Sequence, residues 1–226
     1  MSKPVVAVSK VGDGNMLIPD DTRFEGVIKN REAWLKTVGI DVSNTTRIGI
    51  TYDQQDFCRY RIVDASAKGD GMTGPVSQSV DALVVTEPGY ALFLPVADCV
   101  ATVLYDQEHG VLMLSHLGRH SLEQQGGVRS VQFLQQQFDS RPAALKVWLA
   151  PSPSKEAYPI FALNNKGMKE VVFEQLAEAG ISLENIIDNS ADTSTNPEYF
   201  SHTAFLKGSK DKDGRFAMVA MIPVLE

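Results

Sequence analysis

Residues 93–120 read FLPVADCVATVLYDQEHGVLMLSHLGRH, and the way this stretch folds decides how the rest of the chain is read. Val100 to Asp106 is β-branched and apolar. Gln107-Glu108-His109-Gly110 has the polarity and terminal glycine of a four-residue turn, and Val111 to Leu117 is a second apolar run. This is the pattern of a β-hairpin. With Asp106 facing Val111, Cys99 lies opposite Gly118 and His116 opposite Ala101. Opposite residues share a face, as do residues two apart on one strand. Cys99 and His116 therefore project from one face as diagonal neighbours at the open end of the hairpin, with Cβ atoms roughly 7 Å apart or less. At that distance a thiolate and an imidazole can share a metal ion or act on one substrate. A slip of one residue would move one partner to the other face. The competing reading is simple packing, since free cysteine is among the most buried residue types.

The chain has 226 residues, 43% of them hydrophobic and 22% charged. That length suits one large domain or two small ones and leaves ample core, and a single domain over 1–226 is expected. The formal net charge of -7 disfavours nucleic acid, because phosphate backbones need clustered Lys and Arg. No apolar run has membrane-spanning length, and MSKPVVAVSK lacks the order of a signal peptide. With two cysteines, Cys58 and Cys99, and no disulfide framework, a reducing cytoplasmic compartment is expected. The expected partner is a small molecule, and the oligomeric state is not readable.

Outward from the hairpin, Pro4 to Ser9 reads as a first strand and Lys10 to Asp21 as a turn-rich segment whose glycines can approach an anion. Residues 24 to 38 read as an amphipathic helix ending at Gly39. Arg47 to Tyr52 and Tyr60 to Val63 read as strands, and Gly69 to Ser79 as a loop within a long segment, 64 to 79, of lid length. Asp81 to Thr86 and residues 90 to 94 are further strands. Ser121-Leu-Glu-Gln124 fits a capping box opening a helix. Gly126-Gly127 interrupts that helix and could expose amides to a phosphate or carboxylate. Leu145 to Ala150 is a strand, Pro151 to Ser154 a loop, Met168 to Ala179 a helix closed by Gly180, residues 186 to 198 a polar segment, and Arg215 to Val224 a closing strand. Hairpins mixed with isolated helices indicate an α+β domain whose mixed, largely antiparallel β-sheets are flanked by helices.

Several segments together resemble a known family: Gly14-Asn15-Met16, Asn30-Arg31, Asp81-Ala-Leu-Val84, Pro88-Gly89, Ala97-Asp98-Cys99, His116-Leu-Gly118, Tyr199-Phe-Ser-His202 and Gly214-Arg215-Phe216. In this order they are similar to the laccase-domain or polyphenol oxidoreductase proteins, also known as purine nucleoside phosphorylases acting on adenosine and inosine. The resemblance implies a laccase-domain fold of the cysteine-hydrolase type. It also implies zinc held by a cysteine, by the histidine of a His-Ala-Gly-Trp-Arg-Gly motif and by an earlier histidine in Gln-Val-His-Gly. Cys99 and His116 match two of these. Aligning Gln54-Gln-Asp-Phe57 with the earlier motif puts Asp56 in place of the third, and a Cys99, His116, Asp56 set with an open position for water is the expected metal centre. His120 is the alternative third ligand. The Trp-Arg pair of the motif reads Arg119-His120 here.

The implied reaction is phosphorolysis of a purine nucleoside, which needs charge stabilised on the base and a phosphate placed beneath C1′. Cys99, His116, Arg119 and His120 are the catalytic candidates. Arg119 is the first candidate for phosphate, with Lys10, Asn15, Asp81, His202 and Arg215 as further substrate or phosphate contacts. Three alternatives stand beside it. A relative that binds nucleosides without turning them over would fit the altered motifs, and a metal-free Cys99–His116 pair could act as a hydrolase on acyl or amidine substrates. Copper-dependent phenol oxidation is not expected, because one Cys-His pair does not build several copper sites.

Overall fold

A computed structural model describes residues 3–17 and 24–224; the end of the turn-rich segment, 18–21, lies outside them. The strands and helices follow in chain order as β1 (Val5–Val8), α1 (Phe24–Thr37), β2 (Thr45–Arg47), β3 (Tyr60–Ile62), β4 (Ala82–Val85), β5 (Ala91–Val96), β6 (Val100–Asp106) and β7 (Val111–Leu117). The second half adds α2 (Arg119–Glu123), α3 (Gly126–Phe138), β8 (Lys146–Leu149), β9 (Pro159–Ile160), β10 (Lys166–Gly167), α4 (Met168–Glu178), β11 (Ile186–Asp188), α5 (His202–Leu206) and β12 (Phe216–Met221).

Two sheets carry the fold. One has the order β1-β12-β5-β2, and the other β11-β8-β6-β7-β4-β3. Most pairings are antiparallel, while β2 with β5, β3 with β4 and β11 with β8 are parallel. Alternation along the strands sets the layers. Leu92 and Leu94 of β5, Leu83 and Val85 of β4, and Leu112 and Leu114 of β7 fill the space between the sheets. Phe93 turns the other way onto Trp34 and Leu35 of α1. Val84, Leu104 and Met113 turn onto Val131 and Leu134 of α3 and Val172 and Leu176 of α4. The result is helix, sheet, sheet, helix, with helices on both outer faces as the α+β reading requires. Because both faces of β6 and β7 are covered, both strands are buried along their whole length, which is why they read as continuous apolar runs.

The hairpin has the expected register, with Asp106 opposite Val111 and Ala101 opposite His116. Elsewhere the chain departs from the sequence reading in physically intelligible ways. The strand expected over Arg47 to Tyr52 stops at Arg47. A Cβ on Gly49 would lie 2.3 Å from Val76, so the 71–76 loop packs directly over that backbone. The segment 64 to 79 is no free lid: the buried Arg31 donates to the carbonyls of Gly71 and Met72, and Arg47 donates to that of Gly71. Within the polar segment 186 to 198, Ile186–Asp188 forms an edge strand beside β8. Ser121 caps nothing, since α2 begins after Gly118. Gln124 instead clamps the preceding loop, accepting from Phe57 N–H and donating to Gln55 O.

Gly126 and Gly127 are buried and offer no anion site. The Gln175 side chain of α4 accepts the Gly127 N–H at 2.9 Å and donates to Leu122 O at 2.7 Å. One side chain thus ties α2, α3 and α4 together. That leaves the β7–α2 junction fixed where the site lies.

Candidate functional site

Cys99 and His116 meet at the open end of the β6–β7 hairpin, as their register requires. A Cβ built on Gly118 would sit 3.0 Å from the Cys99 sulfur and 3.1 Å from His116 Nε2, so both atoms crowd the same backbone point. Only a glycine lets the chain cross there. His116 is 7% exposed, and burial pushes its imidazole down to about 4, against a weaker upward pull from Asp81. Packing around Cys99 pushes its thiol up to about 12, with Asp98 adding to the effect and Arg215 and Arg119 opposing it. At neutral pH the two groups are a neutral imidazole and a thiol. They are not a thiolate–imidazolium pair of the kind nucleophilic cysteine chemistry uses.

Above this pair opens a cavity of about 270 Å³ lined by Tyr52, Phe57, Tyr158, Arg119, His120 and Ser121 as well as Cys99, His116 and Gly118. The His120 ring stacks on Phe57 with centroids 4.7 Å apart and meets Tyr52 edge-on at 6.2 Å. Its Nδ1 faces Glu123 Oε2 at 3.5 Å, and Arg119 Nη2 lies 3.2 Å from its Nε2. These partners favour a proton on Nδ1 and an acceptor at Nε2. A larger hollow of about 500 Å³ beside the end of α1 is lined by Glu32, Lys36, Ile40 and Val42 and gathers no comparable chemistry.

Of the residues singled out in the sequence, Cys99, His116, Arg119 and His120 come together in this cavity. The others have different occupations. The Asp56 carboxylate accepts from Cys58 N–H and pairs with Arg129 at 3.1 Å, and it does not line the cavity. Asp81 is buried behind His116, where its carboxylate takes the N–H and Nε–H of Arg59. Lys10 pairs with Glu198 at the surface. Asn15 accepts the backbone N–H groups of Leu17 and Arg215. His202 and Arg215 both engage Asp213, with Arg215 close enough to influence the Cys99 thiol. The aromatic walls, Tyr52, Phe57 and Tyr158, were not visible from motif spacing. Their signal was three aromatic residues in polar loops, which by itself marks no site.

The chain belongs to the multi-copper polyphenol oxidoreductase laccase family, whose model matches residues 12–166. Solved structures share the fold. A hypothetical protein YfiH of Bacillus licheniformis matches with a TM-score of 0.82 at 20% identity over 92% of this chain and 85% of its own. YlmD of Geobacillus stearothermophilus matches with 0.81 at 18% identity over 98% and 92%. The Neisseria meningitidis protein NMB0706 matches with 0.70 at 16% over 93% and 86%. A short stretch of 39 residues, 17% of this chain, is 49% identical to a purine nucleoside phosphorylase of Bacteroides thetaiotaomicron and spans 14% of that protein.

Neither the copper in the family's description nor the zinc implied by the sequence resemblance fits the residues present. Among the described residues no three His, Cys, Asp or Glu side chains are grouped so as to hold a metal. The chain has four histidines, of which His109 and His202 are paired with Asp106 and Asp213. Asp56 is held by Arg129, and His120, the alternative third ligand, has its Nδ1 facing Glu123 and its Nε2 against Arg119. What remains is the Cys99–His116 pair, one ligand short of the usual minimum for a catalytic zinc. No helix among the described residues is long and apolar enough to cross a membrane.

Proposed function

We propose that this chain binds a purine nucleoside in the aromatic cavity and cleaves it with phosphate. The observation that supports this reading is the cavity itself, in which Tyr52, Phe57 and Tyr158 stand around the Arg119–His120 pair above Cys99 and His116. Flat rings at the wall suit a heteroaromatic base, since offset and edge-on aromatic contacts add to simple burial. The short match to a protein named purine nucleoside phosphorylase agrees with it.

In phosphorolysis the C1′–N9 bond breaks with its electron pair leaving on the purine, a phosphate oxygen bonds to C1′, and a proton reaches the base. Arg119 is the group for phosphate, because its planar fork matches two oxyanion oxygens. Turning to phosphate, it releases His120 Nε2. His120, oriented by Glu123 and by its stack on Phe57, then takes the proton of the bound hydrogen phosphate on Nε2 and passes it to the leaving base. The buried, uncharged His116 and Cys99 are suited to hydrogen-bonding sugar hydroxyls rather than to attacking them.

A second reading has its own support. The metal set is incomplete and neither Cys99 nor His116 is ionised, which suits a protein that holds a nucleoside without turning it over. Adenosine and inosine, each supplied with and without phosphate, separate the two. Phosphate-dependent release of free base, reduced about 100-fold or more in Arg119→Ala and His120→Ala, is the expected result. Nucleoside bound in equilibrium dialysis with no base released would replace the phosphorylase by the binding protein. Neither binding nor release would remove both.

A further inference from the structure

A second small cavity, of about 220 Å³, lies at the start of α4, where the Pro151 to Ser154 loop crosses the helix N-terminus. Helix α4 runs for eleven residues behind Gly167, and no side chain of that residue caps its first amides. Such an end carries about half a positive charge and presents N–H groups outward. The loop approaches it closely: a Cβ on Gly167 would lie 3.1 Å from the Cβ of Lys155 and 3.3 Å from its Cα. Ser152 lines the cavity at 3% exposure, and its hydroxyl has no hydrogen-bond partner. Leaving a buried hydroxyl unpaired is unfavourable, and a ligand oxygen would satisfy it.

The charged groups at the rim show what kind of ligand fits. Lys155 reaches toward Glu170, with Nζ 3.6 Å from Oε2, and the same Glu170 oxygen accepts the Gly167 N–H at 3.1 Å. The chain thus already places a carboxylate of its own on this helix end. Asp192 uses one oxygen on the N–H groups of Ser154 and Ser194 and on the Ser194 hydroxyl. Lys169 is committed to Asp188 at 2.6 Å. We infer that this cavity is an oxyanion site of the phosphate class, in which the bound anion displaces Glu170 from the start of α4 and takes hydrogen bonds from the helix amides, Lys155 and the Ser152 hydroxyl. It is separate from the phosphate position assigned to Arg119, and it holds whether or not the chain is a phosphorylase. Its neighbour is the nucleoside cavity, because the turn closed by Tyr158 N–H on Ser154 O joins Lys155 to the Tyr158 wall.

The test uses the full-length Arg119→Ala protein, so that phosphate at the aromatic cavity does not contribute. Inorganic phosphate, titrated at constant ionic strength, is followed by thermal stabilisation and by phosphorus NMR line width. Saturable binding is expected, weakened about tenfold by Ser152→Ala or by Lys155→Ala and tightened by Glu170→Gln, which relieves the repulsion. Equal stabilisation by chloride would overturn the site. So would phosphate binding that is the same in Ser152→Ala, Lys155→Ala and the parent.

Discussion

The two ends of the β6–β7 hairpin each carry a histidine and a glycine, and they use them in opposite ways. At the turn, His109 stands half in solvent with Nδ1 2.8 Å from Asp106 Oδ2. The carboxylate hydrogen bond raises the imidazole and is among the contacts that hold the Asp106 carboxyl down. At the open end, His116 is enclosed and pushed the other way, to about 4. Gly110 adopts φ +65° with nothing near its missing side chain, whereas Gly118 has an ordinary φ of -91° and no room at all. One end needs glycine for its backbone and the other for its space. The lesson is that residue type alone did not mark the site. Enclosure did.

Acid should break the symmetry most strongly. Between the ordinary imidazole value and about 4, the unfolded chain takes up a proton that folded His116 refuses, so stability falls as pH drops through that window. The full effect is about 3 kcal/mol. Urea denaturation at pH 7 and pH 4 should show it, and His116→Gln should make the acid loss shallower by a similar amount. An unchanged acid limb would mean that His116 is open to protons.

Adding a methyl group at each glycine is the next comparison. Gly118→Ala drives a Cβ to within 2.7 Å of the His116 ring, and overpacking of this kind costs about 2 kcal/mol. Ligand binding in the aromatic cavity should fall with it. Gly110→Ala meets only the left-handed backbone penalty, about 1 kcal/mol, and should leave the cavity untouched. Equal losses at both ends would contradict the crowding at Gly118.

The smallest effect belongs to His109. Its raised imidazole stabilises the fold below the ordinary histidine value, and the gain is lost as pH rises through the higher folded value. The group is exposed, so His109→Ala should hardly move the denaturation midpoint at pH 8. A proton NMR titration should nevertheless separate the two rings, with His109 titrating above the free value and His116 silent until well below it.

How much of this was legible in the sequence follows from what each feature depends on. The hairpin register was readable because β6 and β7 are covered on both faces and joined by a turn with a terminal glycine, which placed Cys99 beside His116. The helices α1 and α4 announced themselves by spacing and closing glycines. The short strands β9 and β10 and the edge strand β11 did not, since two or three residues carry no period. The strand end at Arg47 depends on Val76, far along the chain. Asp56 was a fair candidate for a ligand from alignment alone, and only Arg129, brought over from α3, shows what its carboxylate is used for. Tyr52, Phe57 and Tyr158 converge through tertiary packing, with Gln124 clamping one loop onto α2.

The placement of β12 has a consequence for how the molecule comes into being. Val5 pairs with Met221, and Met218 pairs with Leu94 on the opposite side, so a strand made late in synthesis lies between two made early. While the chain is being made, β1 has no neighbour, and β5 shows one bare edge until β12 arrives. The centre of the six-stranded sheet needs no such wait: β6, β7 and β8 are close in sequence, and of its strands the edge strand β11 alone comes after them. Assembly should therefore run from the second sheet to the first, with the Cys99–His116 corner ordered before the first sheet is sealed.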